Sequence, residues 1–302
     1  MPHTQRSVWP GLALAAVGAI AFSGKAIIVK LSYRYGVDAV TVIMLRMLFA
    51  LPFFVLLGWW AGRRPHAKAN PLTRRDALHI VGLGLVGYYL ASYLDFLGLQ
   101  YISASLERLI LYLNPTLVLI LSWLLYQKPV QPIRLLAMAI SYSGVLLVFA
   151  HELTFVGADV ALGSGLVFAS AVAYALYLIY SGQLVQRVGA MRLVGWATSV
   201  ACVCCLVQFA VLRPLSVALV PVEVMWLAVV NALACTVAPV LMVMMAVERL
   251  GAGTAAQVGM IGPMATLAMG VWWLNEPLNA WIGLGTLLVL SGVFLVSKFG
   301  AK

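Results

Sequence analysis

This 302-residue sequence predicts an all-α polytopic membrane protein, with ten transmembrane helices arranged as two inverted five-helix repeats. Three observations predict that class. Hydrophobic residues make up 64% of the chain and charged residues only 9%, a balance outside soluble-domain usage. Apolar runs of about 20 residues, the length that a bilayer core of about 30 Å requires, recur with short polar breaks. The later part of the chain also echoes the earlier part at a shift of 148 residues.

The runs place helices at roughly 9-31, 39-61, 77-98, 102-126, 132-150, 161-183, 191-212, 223-247, 252-274 and 278-298. The first has the order of a signal peptide, with Arg6, an apolar stretch and the small-residue site Ala19-Ile20-Ala21, but the apolar run continues to Leu31, so an uncleaved helix is expected. The longest break, Gly62 to Arg75, is too short for a soluble domain. No catalytic or nucleic-acid-binding domain is therefore expected between the spans.

The formal charge of +10 could suggest an anionic partner, but Lys and Arg also mark the cytoplasmic ends of membrane helices. With the N-terminus inside, thirteen of the nineteen basic residues fall on that side: Arg6, Arg63, Arg64, Lys68, Arg74, Arg75, Lys128, Arg134, Arg187, Arg192, Arg249, Lys298 and Lys302. Lys30, Arg34 and Arg213 fall outside, with Asp38, Glu152, Asp159, Glu223 and Glu276. Both termini are thus expected in the cytoplasm. Trp9, Trp59, Trp60 and Trp123 near inner ends, and Trp226, Trp272, Trp273 and Trp281 near outer ends, fit aromatic belts.

Shifting the sequence by 148 residues lays "LERLILYLNPTLVLILSWLLYQKP" (106-129) over "TAAQVGMIGPMATLAMGVWWLNEP" (254-277), with Pro115 on Pro263 and Pro129 on Pro277. The register continues through "SGVLLVF" at Ser143 to Phe149 over "SGVFLVS" at Ser291 to Ser297. Nearer the start of each half the offset becomes 153, with Gly36 over Gly189. The halves divide at 1-153 and 154-302. Five is odd, so the second half enters the membrane from the opposite side. Inverted repeats are the signature of secondary transporters, in which one bundle rocks against another around a midplane site.

Pro115 and Pro263 lie near the middle of their spans. Each removes an N–H and displaces the carbonyl four residues earlier, that of Leu111 or Gly259. Interrupted helices at matching depths point to a binding site, because freed backbone groups are tolerated only where protein or water satisfies them.

The stretch "NPTLVLILSWLLYQKPVQPIRLLAMAISYSGVLLV" and its echo "GPMATLAMGVWWLNEPLNAWIGLGTLLVLSGVFLV" resemble the EamA-type repeat of the drug/metabolite transporter superfamily. Its marks are the mid-helix Pro, a Glu ending the fourth helix of each repeat and the Ser-Gly-Val near the end of the fifth. Here Glu276 fills that position in the second half and Lys128 stands there in the first. The resemblance covers nearly the whole chain and implies ten helices in two inverted halves. Within the superfamily the sequence is similar to bacterial amino-acid exporters, the exporter of aromatic amino acids among them, which implies amino-acid export across the inner membrane.

Charged groups at bilayer depth are costly and by default face protein or water. Here they are Lys25, Arg46, Asp95, Glu107 and Arg108. On the fourth helix Glu107, Leu111 and Asn114 share one face, with Arg108, Tyr112 and Pro115 on the adjacent one. The third helix carries Tyr88, Ser92 and Asp95 together, Tyr89 and Tyr93 beside them and His79 near its inner end; the sixth offers Tyr174, Tyr177 and Tyr180. An aromatic wall with hydrogen-bonding tips suits zwitterions, whereas singly scattered bases suit a phosphate poorly. Each candidate also has a structural reading: an Asp95–Arg108 or Glu107–Lys25 ion pair ties helices together, the tyrosines pack, and His79 sits at an interface.

Other motifs fail on context. "GLGLVG" at 82-87 fits a dinucleotide-loop pattern but lies inside a span without a preceding strand, so close helix packing explains it. Cys202, Cys204 and Cys205 are spaced closely enough to suggest a soft metal, but as small apolar filler need none. No Walker-type loop is present. The sequence therefore predicts a transporter and not an enzyme, needing no cofactor or metal, with the bilayer and small molecules such as amino acids as partners and no nucleic acid. A monomer is compatible with it. Sugar phosphates, nucleotide sugars, drugs and cations are the alternative cargoes, and a lipid enzyme the more distant alternative.

Overall fold

The structure, a computed structural model, describes residues 9–65, 67, 70–127, 132–156, 159–250, 258–259 and 261–299. Among these the chain is helical, without strands. Eight helices are long and apolar enough to cross a membrane: α1 (Trp9–Tyr33), α2 (Ala39–Gly62), α3 (Arg74–Gly98), α4 (Ala104–Tyr126), α5 (Leu135–Thr154, within Pro132–Val156), α6 (Asp159–Gly182, continuing to Val188), α7 (Ala190–Leu212) and α8 (Val222–Val247, continuing to Leu250). Two shorter apolar helices, α9 (Ile261–Leu274) and α10 (Ala280–Leu295, continuing to Phe299), occupy the described part of the ninth and tenth expected spans. Residues 252–257 of the ninth span lie outside the described residues, as do Arg6, Lys68, Lys128 and Lys302 from the charge pattern.

Polar caps set the helix starts. Asp38 accepts from the Thr41 amide at 2.9 Å and starts α2. Thr73 and Asp76 form a reciprocal capping box on α3, the arrangement that satisfies two otherwise orphaned amides. Asp76 also holds Arg187 from the end of α6 at 2.5 Å.

Helices pack chiefly as α5 on α10, α2 on α7, α1 on α8 and α9, α6 on α3 and α4, α3 on α7, and α2 on α8. Advancing every helix by five places, modulo ten, maps this set of pairs onto itself. Lipid tails are as apolar as leucine, so close backbone packing has to hold such contacts. The Ser-Gly-Val glycines provide it between α5 and α10. A Cβ on Gly144 would stand 2.6 Å from the Gly285 carbonyl, and one on Gly292 would stand 2.5 Å from that of Ala137. A shift of 148 carries one of these pairs onto the other. Backbone with positive φ follows the same spacings: Gln127 and Asn275 end α4 and α9 at φ 52 and 56, and Gly36 and Gly189 open α2 and α7 at φ 75 and 89.

Three helices depart from the uniform spans that composition suggests. α3 turns π-helical over Gly84–Leu90, α8 over Leu233–Val237 and α9 over Gly270–Leu274. Such wide turns are rare and gather at functional sites. The "GLGLVG" run sits where α3 enters its π segment.

Candidate functional site

α4 is not continuous. Its first half, Ala104–Leu111, stops at Tyr112 and Leu113, and Asn114–Tyr126 begins again with Pro115 in its first turn. The Leu111 carbonyl that Pro115 displaces accepts from Asn114 Nδ2 at 2.7 Å, and Thr116 Oγ1 donates to the Leu113 carbonyl at 2.7 Å. The matching carbonyl in the second half, that of Gly259, accepts from the Tyr112 hydroxyl at 2.7 Å. The backbone freed by each proline is thus satisfied by polar side chains at the α4 break, which is joined there to Gly259, two residues before α9 begins.

Beside this junction lies a cavity of about 420 Å³, within the usual range for small-molecule sites. Of the sequence candidates, Lys25, Tyr88, Asp95, Arg108, Tyr112, Asn114 and Tyr174 line it, as do Arg46 and Ser92. Glu107 lies fully buried behind Lys25. Tyr177 backs the wall, its hydroxyl 3.2 Å from that of Tyr88 and its ring stacked on Tyr174 at 5.6 Å. Tyr89 and Tyr93 instead pack against the core shared by α1, α2, α3 and α7, and His79 is exposed near the start of α3.

Lys25 bridges both buried acids. Its ammonium pairs with Asp95 and lies 3.1 Å from Glu107 Oε1, so α1, α3 and α4 meet at one cation. The Glu107–Lys25 pair considered from sequence is present, whereas Asp95 takes Lys25 as its partner. Arg108 donates from Nη2 to Ser23 Oγ at 2.8 Å, and the single hydroxyl proton of Ser23 is shared between the carbonyls of Ala19 and Gly262, at 2.8 and 2.9 Å. Gly262 is needed for this approach: a Cβ there would stand 2.6 Å from the Tyr112 hydroxyl and 3.1 Å from Arg108 Nη2. Arg46 donates from Nε to Thr236 Oγ1 at 2.9 Å and lies over the Phe96 ring at 5.1 Å. Thr236 in turn donates to the carbonyl of Asn231, five residues back in the π turn of α8. Sequence reasoning does not single out Ser23 or Thr236, because a lone hydroxyl in an apolar helix usually does no more than bond the preceding turn.

A second hollow of about 550 Å³ lies at the other end of the first half of α4. Ser103 caps that helix through the Leu106 amide at 3.0 Å and donates its hydroxyl to Glu152. Glu276 accepts from the amides of Ala104 and Ser105 at 2.8 and 3.3 Å, and from Ser105 Oγ at 2.7 Å. A carboxylate suits a helix N-terminus, where orphaned amides and the macrodipole favour negative charge. Lys30 donates to the Ile102 carbonyl at 2.6 Å and Arg34 to the Leu274 carbonyl at 2.6 Å. These contacts tie α1, α4, α5 and the end of α9 together. The four cysteines are free, and Cys202 lies 3.5 Å from the Met47 sulfur.

The eight apolar helices of membrane length mark a multi-pass membrane protein, and the cavity among its helices carries buried charged groups. The profile of the EamA-like transporter family matches the chain twice, over residues 9–150 and 161–298, and the protein belongs to that family. The chain is 28% identical over 295 residues to the uncharacterized transporter YcbK of Bacillus subtilis (strain 168), covering 96% of this chain and 92% of that one. It is 24% identical over 266 residues to the uncharacterized inner membrane transporter YicL of Salmonella typhimurium (strain LT2), covering 84% and 83%. One crystal structure superposes with a TM-score of 0.66 at 15% identity, covering 96% of this chain and 97% of the other, a likeness of fold.

Proposed function

We propose that this protein is a secondary transporter that exports amino acids, aromatic and other neutral ones among them, across the bacterial inner membrane by alternating access. Its ten helices form two inverted five-helix repeats with both termini in the cytoplasm. The reciprocal glycine contacts of α5 and α10 support that arrangement, as do the paired positive-φ residues and the exchange symmetry of the helix pairs.

The observation that carries the reading is the central cavity at the proline-broken junction of α4 with α9. In this orientation the cluster of Glu276, Glu152, Lys30 and Arg34 closes the outer side, and the cavity runs from Lys25 and Asp95 toward Phe54, Val194 and Met244 nearer the cytoplasm. Tyr88, Tyr174 and Phe22 supply an aromatic wall, which fits the side chain of an aromatic amino acid.

Counterflow in proteoliposomes tests it. Vesicles loaded with an unlabelled amino acid should accumulate trace label of the same compound only when they contain the protein. Folded, inserted protein that exchanges sugar phosphates, drugs or cations but no amino acid would replace the cargo; protein that exchanges nothing would refute transport.

A further inference from the structure

We infer that Arg46 and Arg108 form the carboxylate-binding end of the central cavity, and that the transported class is a small organic carboxylate with an aromatic or apolar body. This rests on the transport reading above and specifies the chemistry of its site. Both arginines line the cavity and are more than nine-tenths buried, at 6% and 7% exposed. Neither forms an ion pair with an acid within bonding distance: Asp95 and Glu107 lie near Arg46 and Arg108 but make their close contacts with Lys25. Arg46 bonds Thr236 and Arg108 bonds Ser23, which are neutral hydroxyls, and Nη1 of Arg46 and Nε of Arg108 are buried donors without a hydrogen-bond partner.

The acids at this depth are already engaged. The chain has nine acidic residues. Asp38, Asp76, Glu152, Asp159, Glu223, Glu248 and Glu276 lie at or near helix ends, which leaves Asp95 and Glu107 in the interior, both on Lys25. With both ionised, three cations face two anions and the set keeps one positive charge; protonating either acid raises it. An unpaired buried cation is costly at bilayer depth, and a ligand carboxylate offsets that cost through charge-assisted bonds to guanidinium N–H groups. Arginine is also the side chain suited to that role, since its planar fork matches a carboxylate. The ligand's body would lie along Phe22, Tyr88 and Tyr174, with Phe54 beyond.

Four probes that share one aromatic body isolate the carboxylate: phenylalanine, 3-phenylpropionate, phenylalaninamide and phenethylamine. Each is tested for binding by thermal shift of the detergent-purified full chain and for exchange by counterflow. The two carboxylates should bind and exchange, while the amide and the amine fall at least about tenfold behind. Arg46→Gln and Arg108→Gln should each weaken carboxylate binding at least about tenfold while the chain still folds, since each replacement removes a cation and keeps an amide that can bond Thr236 or Ser23. Should either variant fail to fold, the wild-type ranking of the four probes decides alone.

Equal or better exchange of the amine and amide would overturn the carboxylate assignment and leave transport standing. Silence from both carboxylates in binding would overturn it too. Carboxylate binding without exchange of any solute would keep the site and overturn transport.

Discussion

Glu276→Gln tests whether the Glu276–Glu152 cluster is a lock. The carboxylate accepts two amides and a hydroxyl at the N-terminus of the first half of α4, and the amide side chain keeps one acceptor oxygen and no charge. Hydrogen bonds to a charged group contribute about 1.5–3 kcal/mol, and tenfold in an equilibrium is about 1.4 kcal/mol. Opening of that end should therefore become roughly 10- to 150-fold more frequent. Ile102 is 1% exposed beneath the cluster, so Ile102→Cys reports opening through its reaction with a membrane-impermeant maleimide. The labelling rate should rise by that factor in the double variant, with the melting temperature lowered only modestly. An unchanged rate in a folded double variant would refute the lock, because the tie would then hold without its charge.

Three further outcomes follow from the same contacts. Gly262→Ala drives a methyl into the side-chain ends of Tyr112 and Arg108, which must swing aside and give up their bonds to Gly259 and Ser23, and should cost about 1–3 kcal/mol, read as a lower melting temperature in detergent; an unchanged melting temperature would show that these bonds re-form around the methyl. Lys25→Met leaves Asp95 and Glu107 buried without their cation and should destabilise by about 3–5 kcal/mol, whereas the Lys25→Met, Asp95→Asn, Glu107→Gln triple variant should recover much of the loss, as urea or thermal unfolding would register. Burial raises the Asp38 carboxyl, but hydrogen bonds from Thr41 and the Arg213 guanidinium outweigh it and leave the group below its ordinary value. A depressed carboxylate stabilises the fold above the unfolded value and loses that contribution as pH falls through the folded one. Acid unfolding should therefore show a loss of stability below about pH 4 that Asp38→Asn makes smaller; identical acid limbs would exclude any role for the pair.

Much of the architecture is legible in the sequence because the bilayer imposes a length on every helix. Eight of the apolar runs correspond to described helices of membrane length and the last two to shorter ones, while the two proline positions and the Gly36–Gly189 match each correspond to a described feature. The buried charges were equally visible, since no apolar span hides a lysine or an arginine. Their partners were not. Which acid meets which base depends on how helices rotate and cross, and periodicity within one helix says nothing about its neighbour; hence Lys25 engages both Asp95 and Glu107, and Arg108 engages a serine. The π turns of α3, α8 and α9 were invisible for a related reason. They arise from packing and have no dedicated residue code, although Gly84 and Gly87 in α3 allow the close approach that accompanies one. Glu276 stood out only as a family mark, and its work as the cap of a helix in the other half needed the three-dimensional contact.

The first half of α4 ties these pieces to each other. It is eight residues long, about 12 Å at the rise of an α-helix. Its N-terminus is held by Glu276 and Glu152, and the turn that follows its C-terminus is held to α9 through Tyr112 and Gly259. Between those ends it carries Glu107, which engages Lys25, and Arg108, which lines the cavity. A ligand that draws on Arg108 therefore acts on a short rod whose far end is the Glu276 tie. Binding can bias the tie only through a difference in affinity between the tied and untied states, and linkage makes that bias mutual. The factor by which a saturating carboxylate changes maleimide labelling at Ile102→Cys should then match the ratio of its affinities for the untied and tied forms, the untied form being approached with Glu276→Gln. Equal affinities in the two backgrounds, alongside a labelling rate that ligand still changes, would mean that the signal reaches Ile102 by another helix.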